Sequence, residues 1–135
     1  MLRAVVLDNN AISRDLLKSV LANGGYDIVG DANISASSIA SMIRLQPQIA
    51  CIDIGMADEA GFQKLDEIRE SLPKAMIFVV SGKLDSRAVQ GALQRGVHGF
   101  IVKPFNGVTV LATIRNAVIK LARQHRAANS HTGSV

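Results

Sequence analysis

Asp53 closes the apolar run Ile49-Ala50-Cys51-Ile52, and a carboxylate at the end of a buried strand is costly unless it is paired or used. Other reactive groups follow apolar runs of the same kind: Asp8 and Asn9 after Leu7, Ser81 after Val80, and Lys103 after Val102. If these runs are strands of one sheet, their side chains meet at a single edge. A carboxylate there can attack a phosphoryl group and form an acyl phosphate, provided cations neutralise the charge gathering on the transferred oxygens. Asp8, Asn9, Asp53 and the backbone carbonyl of Gly55 offer oxygen ligands suited to Mg²⁺, with water completing an octahedron. The Lys103 ammonium can pair with Asp53 at rest and with a phosphoryl oxygen afterwards, and Pro104 helps to fix the loop that presents it. The Ser81 hydroxyl can follow the new phosphate oxygens, and that motion would be a switch.

The elements that must bring these groups together show in the hydropathy pattern. Short apolar runs at 4–7, 26–30, 49–53, 76–80 and 100–102 alternate with stretches of helical period at 11–23, 35–45, 60–71, 85–95 and 107–125. Gly24-Gly25, Pro47, Pro73 and Gly96 follow the first four of these stretches as helix stops. Five βα units with right-handed crossovers predict an α/β fold, a doubly wound five-stranded parallel sheet with five helices on its two faces. In such a sheet the active crevice lies outside the carboxyl ends of the strands, where Asp8, Asn9, Asp53, Ser81 and Lys103 all fall. One domain is expected over 1–125. Residues 126–135 lose the periodicity and read as a disordered tail or a truncated linker.

With 135 residues, 48% of them hydrophobic, the chain can bury one substantial core. The opening Met1-Leu2-Arg3 reaches a charge too soon for a secretory segment, and no run approaches membrane-spanning length, so a soluble, cytoplasmic chain without membrane contact is expected. Cys51 is the single cysteine, and its neighbours Ala50 and Ile52 make it a buried, inert thiol. The formal charge of +4 owes much to Lys120, Arg123 and Arg126 at the end of the last helix, where cations suit the dipole. With four Phe, one Tyr and no Trp, the chain lacks the aromatic support of a nucleic-acid reader, so no direct nucleic-acid contact is expected. His98, His125 and His131 show no metal-ligand grouping.

Leu7-Asp8-Asn9, Asp53-Ile54-Gly55-Met56, Gly61, Ser81-Gly82 and Gly99-Phe100-Ile101-Val102-Lys103-Pro104-Phe105 stand in an order and spacing that resembles the receiver domain of two-component response regulators. The resemblance spans about residues 3–123 and implies a flavodoxin-like sheet with strand order 2-1-3-4-5. It implies that Asp53 is the phosphoacceptor, Asp8 a metal-binding acid, Ser81 the switch hydroxyl, and Lys103 the family's lysine. Phe100 matches the family's aromatic switch, which turns inward as the hydroxyl moves; a Phe has no phenolic hydroxyl, so burial alone would drive it. The implied cofactor is Mg²⁺, and the implied phosphoryl donor is a histidine kinase or phosphotransfer protein. The downstream contact is a partner protein or a homodimer through residues 85–123, where Val108, Leu111, Val118 and Leu121 leave the last helix only a narrow polar arc.

Two positions depart from the family pattern. Asn9 stands where a second acid is usual, so the pocket has one negative charge fewer; a unit charge pair at about 4 Å is worth roughly 1 kcal/mol in water and about 4 at intermediate dielectric. Mg²⁺ should bind more weakly, with less repulsion toward an incoming phosphoryl group. Ala57 stands where proline usually follows Met56, and Asp58 and Glu59 read as solvated acids before a helix. Two readings therefore remain open: a phosphoacceptor receiver that switches protein binding, and a pseudo-receiver scaffold in which Asn9 has weakened or ended phosphorylation. A hydrolase working through an aspartyl phosphate would want an acid two residues after Asp53, where this chain has Gly55, so no enzyme activity is expected.

Overall fold

The computed structural model describes residues 1–55 and 58–133, with side chains described up to 127. Met56 and Ala57, part of the loop read from sequence as softened by Ala57, lie outside the described residues. The order is β1 (Arg3–Leu7), α1 (Ala11–Asn23), β2 (Asp27–Ala32), α2 (Ala36–Arg44), β3 (Ile49–Asp53), α3 (Glu59–Ser71), β4 (Met76–Ser81), α4 (Ser86–Gln94), β5 (Gly99–Val102) and α5 (Gly107–Gly133). The strands form one sheet in the order β2-β1-β3-β4-β5, and every neighbouring pair is parallel. The doubly wound architecture expected from the apolar runs is the one observed.

The sheet separates two apolar layers, and the two-residue period of each strand feeds both. On β3, Ala50 and Ile52 join Leu65, Ile68 and Ile77 beneath α2, α3 and α4. The alternate residues Ile49 and Cys51 join Leu17, Leu21, Val110 and Ile114 beneath α1 and α5. Burial on both faces explains why the central strands read as continuous apolar runs.

The helices begin where a polar side chain can accept one of the first, otherwise unpaired N–H groups. Asn10 accepts from Ser13 N at 3.0 Å, Ser35 from Ser38 N at 3.2 Å, Asp58 from Gly61 N at 3.0 Å, Asp85 from Ala88 N at 2.8 Å and Asn106 from Thr109 N at 2.8 Å. Asp58 is thus an acid at a helix start, as its sequence position suggests.

Two boundaries differ from the sequence reading by more than one residue. β2 continues to Ala32, past the apolar run ending at 30, because Asp31 and Ala32 still pair with Val6 and Leu7 of β1. The carboxylate of Asp31 is held by Arg14 at 3.1 Å and Lys18 at 3.2 Å. The second concerns the last helix: expected over 107–125, α5 continues to Gly133. No Gly or Pro stands between Gly107 and Gly133 to stop it, and Ala127-Ala128 are strong helix formers.

Candidate functional site

The parallel register fixes the site. Asp53 is the last residue of β3 and pairs with Val80, and Ser81, the last of β4, pairs with Val102. Lys103 N donates to Ser81 O at 2.9 Å, so the lysine emerges one step beyond the sheet, beside Asp53. On the other flank, Asp8 N donates to Ala32 O at 3.0 Å and the Arg14 guanidinium donates to Asp8 O at 2.8 Å. Arg14, bound also to Asp31, is a positioning residue that no local sequence signal reveals.

The side chains converge around one ammonium. Lys103 Nζ lies 2.5 Å from Asp53 Oδ2 and 2.8 Å from Asp8 Oδ2. The first contact is a charge-assisted hydrogen bond. The second has the distance of an ion pair but not the angle of a hydrogen bond, which leaves the buried Asp8 Oδ2 without an aligned donor. Charge attraction depends on distance alone, so the contact is ionic. Burial is the largest influence on Lys103 and pulls its pKa down, but the hydrogen bond to Asp53 and the close carboxylates of Asp53 and Asp8 together outweigh it and raise the pKa above its ordinary value. The other oxygens are tied to backbone: Asp8 Oδ1 accepts from Asn10 N at 2.9 Å, and Asp53 Oδ1 from Gly55 N at 2.7 Å.

A pocket of about 270 Å³ opens over this group, lined by Asp8, Asn9, Asp53, Gly55 and Lys103, with Ile34 and Ile54 as its apolar wall. Lys64 of α3 lines it too, a residue the sequence reading did not single out. Asn9 is present at the rim, but its side-chain oxygen accepts from Ile34 N at 2.7 Å, so one of its lone pairs is spent on the neighbouring loop.

Ser81 is buried and lines a larger adjoining cleft of about 910 Å³, which shares Gly55 with the first. Its hydroxyl donates to Lys83 O at 2.9 Å and accepts from Lys83 N at 3.1 Å, so it is turned into its own loop. The single pocket expected from sequence is therefore two clefts. Phe100 is half-buried, packing against the layer beneath α2, α3 and α4 and lining a groove with Thr109 and Thr113.

A sequence profile of the response regulator receiver domain matches residues 4–115. The chain belongs to the response regulator receiver domain family. The receiver domain is 30% identical over 112 residues to the chemotaxis protein CheY of Thermotoga maritima, covering 83% of this chain and 93% of that one. It is 29% identical over 116 residues to the CheY of Bacillus subtilis, covering 86% and 97%. A crystal structure of a response regulator from Thermotoga maritima superposes with a TM-score of 0.78 at 19% identity, covering 87% of this chain and 98% of that one, a likeness of fold. Receiver domains are the phosphoacceptor modules of two-component signalling. Among the described residues no helix is long and apolar enough to cross a membrane.

The receiver's donor set can be tested against the Mg²⁺ that receiver domains bind. Among the described residues no group of three or more His, Cys, Asp and Glu gathers as a metal cluster. The buried Asp8 Oδ2 without an aligned donor, together with Asp53 and Gly55 in the same pocket, still fits a small oxygen-seeking dication that keeps several waters.

Proposed function

We propose that this receiver domain takes a phosphoryl group on Asp53 from a histidine kinase or phosphotransfer protein and that the phosphorylated state changes its protein contacts. The observation that carries the reading is the Lys103 ammonium held between Asp53 and Asp8 at the mouth of an open pocket. Asp53 is aimed by Gly55 N on one oxygen and Lys103 on the other. Attack by a carboxylate oxygen forms a P–O bond as the P–N bond to the donor's imidazole breaks, and the imidazole nitrogen leaves with the electron pair. Lys103 then has a phosphoryl oxygen to bind in place of the carboxylate it holds at rest.

Asp8, Asp53, the Gly55 carbonyl and Asn9 are the residues that would hold Mg²⁺. Bound there, the ion would neutralise charge on the transferred oxygens. The hydrogen bonds of the Ser81 hydroxyl to Lys83 N and O must break before it can turn toward a phosphoryl group, which makes the β4–α4 loop the moving part, and Phe100 follows as the aromatic switch.

A protein donor must seat its imidazole over this pocket. Ile12, 81% exposed, and Leu16, 51% exposed, form a shallow apolar groove with Pro104 and Phe105 directly beside Lys103. That rim supports a protein rather than a small-molecule donor. Exposed Leu93, Val102, Val108 and Ile119 support the α4–β5–α5 face, within residues 85–123, as the surface for a downstream partner or a homodimer. The reading assigns the domain no enzyme activity of its own and places it in the cytoplasm.

The test is intact mass after incubation with acetyl phosphate, with and without Mg²⁺, on the protein and on Asp53→Asn. A phosphoryl adduct that needs both Asp53 and Mg²⁺ supports the reading. The absence of an adduct at high Mg²⁺, and with a histidine kinase as donor, would favour the pseudo-receiver scaffold. The observation on that side is the Asn9 oxygen committed to Ile34 N.

A further inference from the structure

Lys103 is already shared between two carboxylates, yet the pocket has a second cation. Lys64 lies in the middle of α3, half-buried, and its side chain lines the pocket together with Asp8, Asp53 and Lys103. Among the described residues no carboxylate forms a salt bridge with it. Ile34 and Ile54 line the same pocket and suit the aliphatic stem of Lys64, whose ammonium has no carboxylate partner among the described residues.

The charges sum simply: two carboxylates, Asp8 and Asp53, against two ammoniums, Lys64 and Lys103, with Asn9 neutral, give a pocket of no formal charge. Relative to a pocket whose acids are in excess, a neutral one attracts a dication less strongly and repels an anion less strongly. Asn9 and Lys64 act in the same direction, one by omitting a negative charge and the other by adding a positive one.

We propose that Lys64 is a second anion-facing cation of the phosphoryl pocket, which favours the incoming phosphoryl group and opposes Mg²⁺. This rests on the phosphoacceptor reading. The two effects have opposite signs, and a residue that only packs α3 against the sheet would not produce both.

The experiment compares wild type, Lys64→Gln and Lys64→Arg. Mg²⁺ and, separately, inorganic phosphate are titrated while ¹H–¹⁵N spectra follow the Gly55 and Lys103 amides, and acetyl phosphate adducts are then timed by intact mass at saturating Mg²⁺. Removing one unit charge from the lining of a partly solvated pocket should change each affinity by about three- to tenfold. Lys64→Gln is expected to bind Mg²⁺ more tightly, to bind phosphate more weakly and to accept the phosphoryl group more slowly, with Lys64→Arg close to wild type. Mg²⁺ and phosphate affinities of Lys64→Gln within twofold of wild type, or both moving the same way, would overturn the proposal. If wild type forms no adduct, the phosphoacceptor reading fails, and the two titrations still decide the role of Lys64.

Discussion

The side-chain oxygen of Asn9 accepts a hydrogen bond from Ile34 N at 2.7 Å, tying the loop after β1 to the loop after β2. An aspartate of the same shape could keep that bond and add a negative charge beside Asp8. Asn9→Asp is therefore expected to tighten Mg²⁺ binding by about tenfold, the effect of roughly 1.4 kcal/mol of added attraction. Calorimetric titration of both proteins with MgCl₂ checks this; unchanged affinity would mean that position 9 does not face the metal.

Removing Lys103 leaves Asp8 and Asp53 confronting each other without their shared cation. Lys103→Met should lower stability by about 1–3 kcal/mol at neutral pH, as expected when one partner of a largely buried ion pair is removed. Urea unfolding without Mg²⁺ gives the loss, and added MgCl₂ should recover part of it. Because the folded pKa of Lys103 is raised, its contribution is fully present below the unfolded pKa and is lost only as pH rises through the folded one.

His98 carries the opposite linkage. Its pKa is lowered, first by burial and then by the charges of Arg69 and Lys120, and its Nδ1 accepts from Ile77 N at 3.3 Å. The unfolded chain therefore binds this proton more readily, so stability falls as pH drops through the unfolded value and levels off below the folded one. Urea midpoints measured from pH 8 to pH 5 should decline less steeply for His98→Asn than for wild type. Parallel slopes would show that the imidazole is not the group responsible.

Cys51 is fully buried, and burial pushes its thiol up to about 12. At pH 8 it should react with a thiol-specific disulfide reagent only through opening of the sheet, so that modification keeps pace with unfolding. A fast native-state reaction would require the two apolar layers to be looser than the structure shows.

Strand positions could be read from the sequence because β1, β3 and β4 are buried on both faces, and Asp8, Asp53 and Ser81 could be read because they stand at the ends of those runs, as Lys103 stands at the end of β5. What escaped is non-local. The end of β2 depends on pairing with β1 and on Arg14 and Lys18 holding Asp31, none of which shows in its own six residues. The partner of Asn9 lies 25 residues away. Lys64 reaches the pocket only through the rotation of α3 over the sheet, which the spacing of its apolar residues sets too loosely to predict. Ser81 reads from sequence at the end of its strand, where it stands, but the orientation of its hydroxyl depends on Lys83 backbone groups. The end of α5 escaped for another reason: loss of amphipathic pattern marks where packing stops, not where a helix stops.

Asp8, Asn9 and Asn10 are consecutive, and each has a separate duty: Asp8 bears on Lys103, Asn9 holds Ile34, and Asn10 caps α1. The chain there has no spare length. An inserted or deleted residue would put all three out of register together, so length variation should be poorly tolerated at this end of the sheet even where single substitutions survive. The connections at the opposite end, such as Gly24-Gly25 and Pro73-Lys74, hold no such sequence of duties and are the places where the chain can be lengthened or joined to another protein without cost to the pocket.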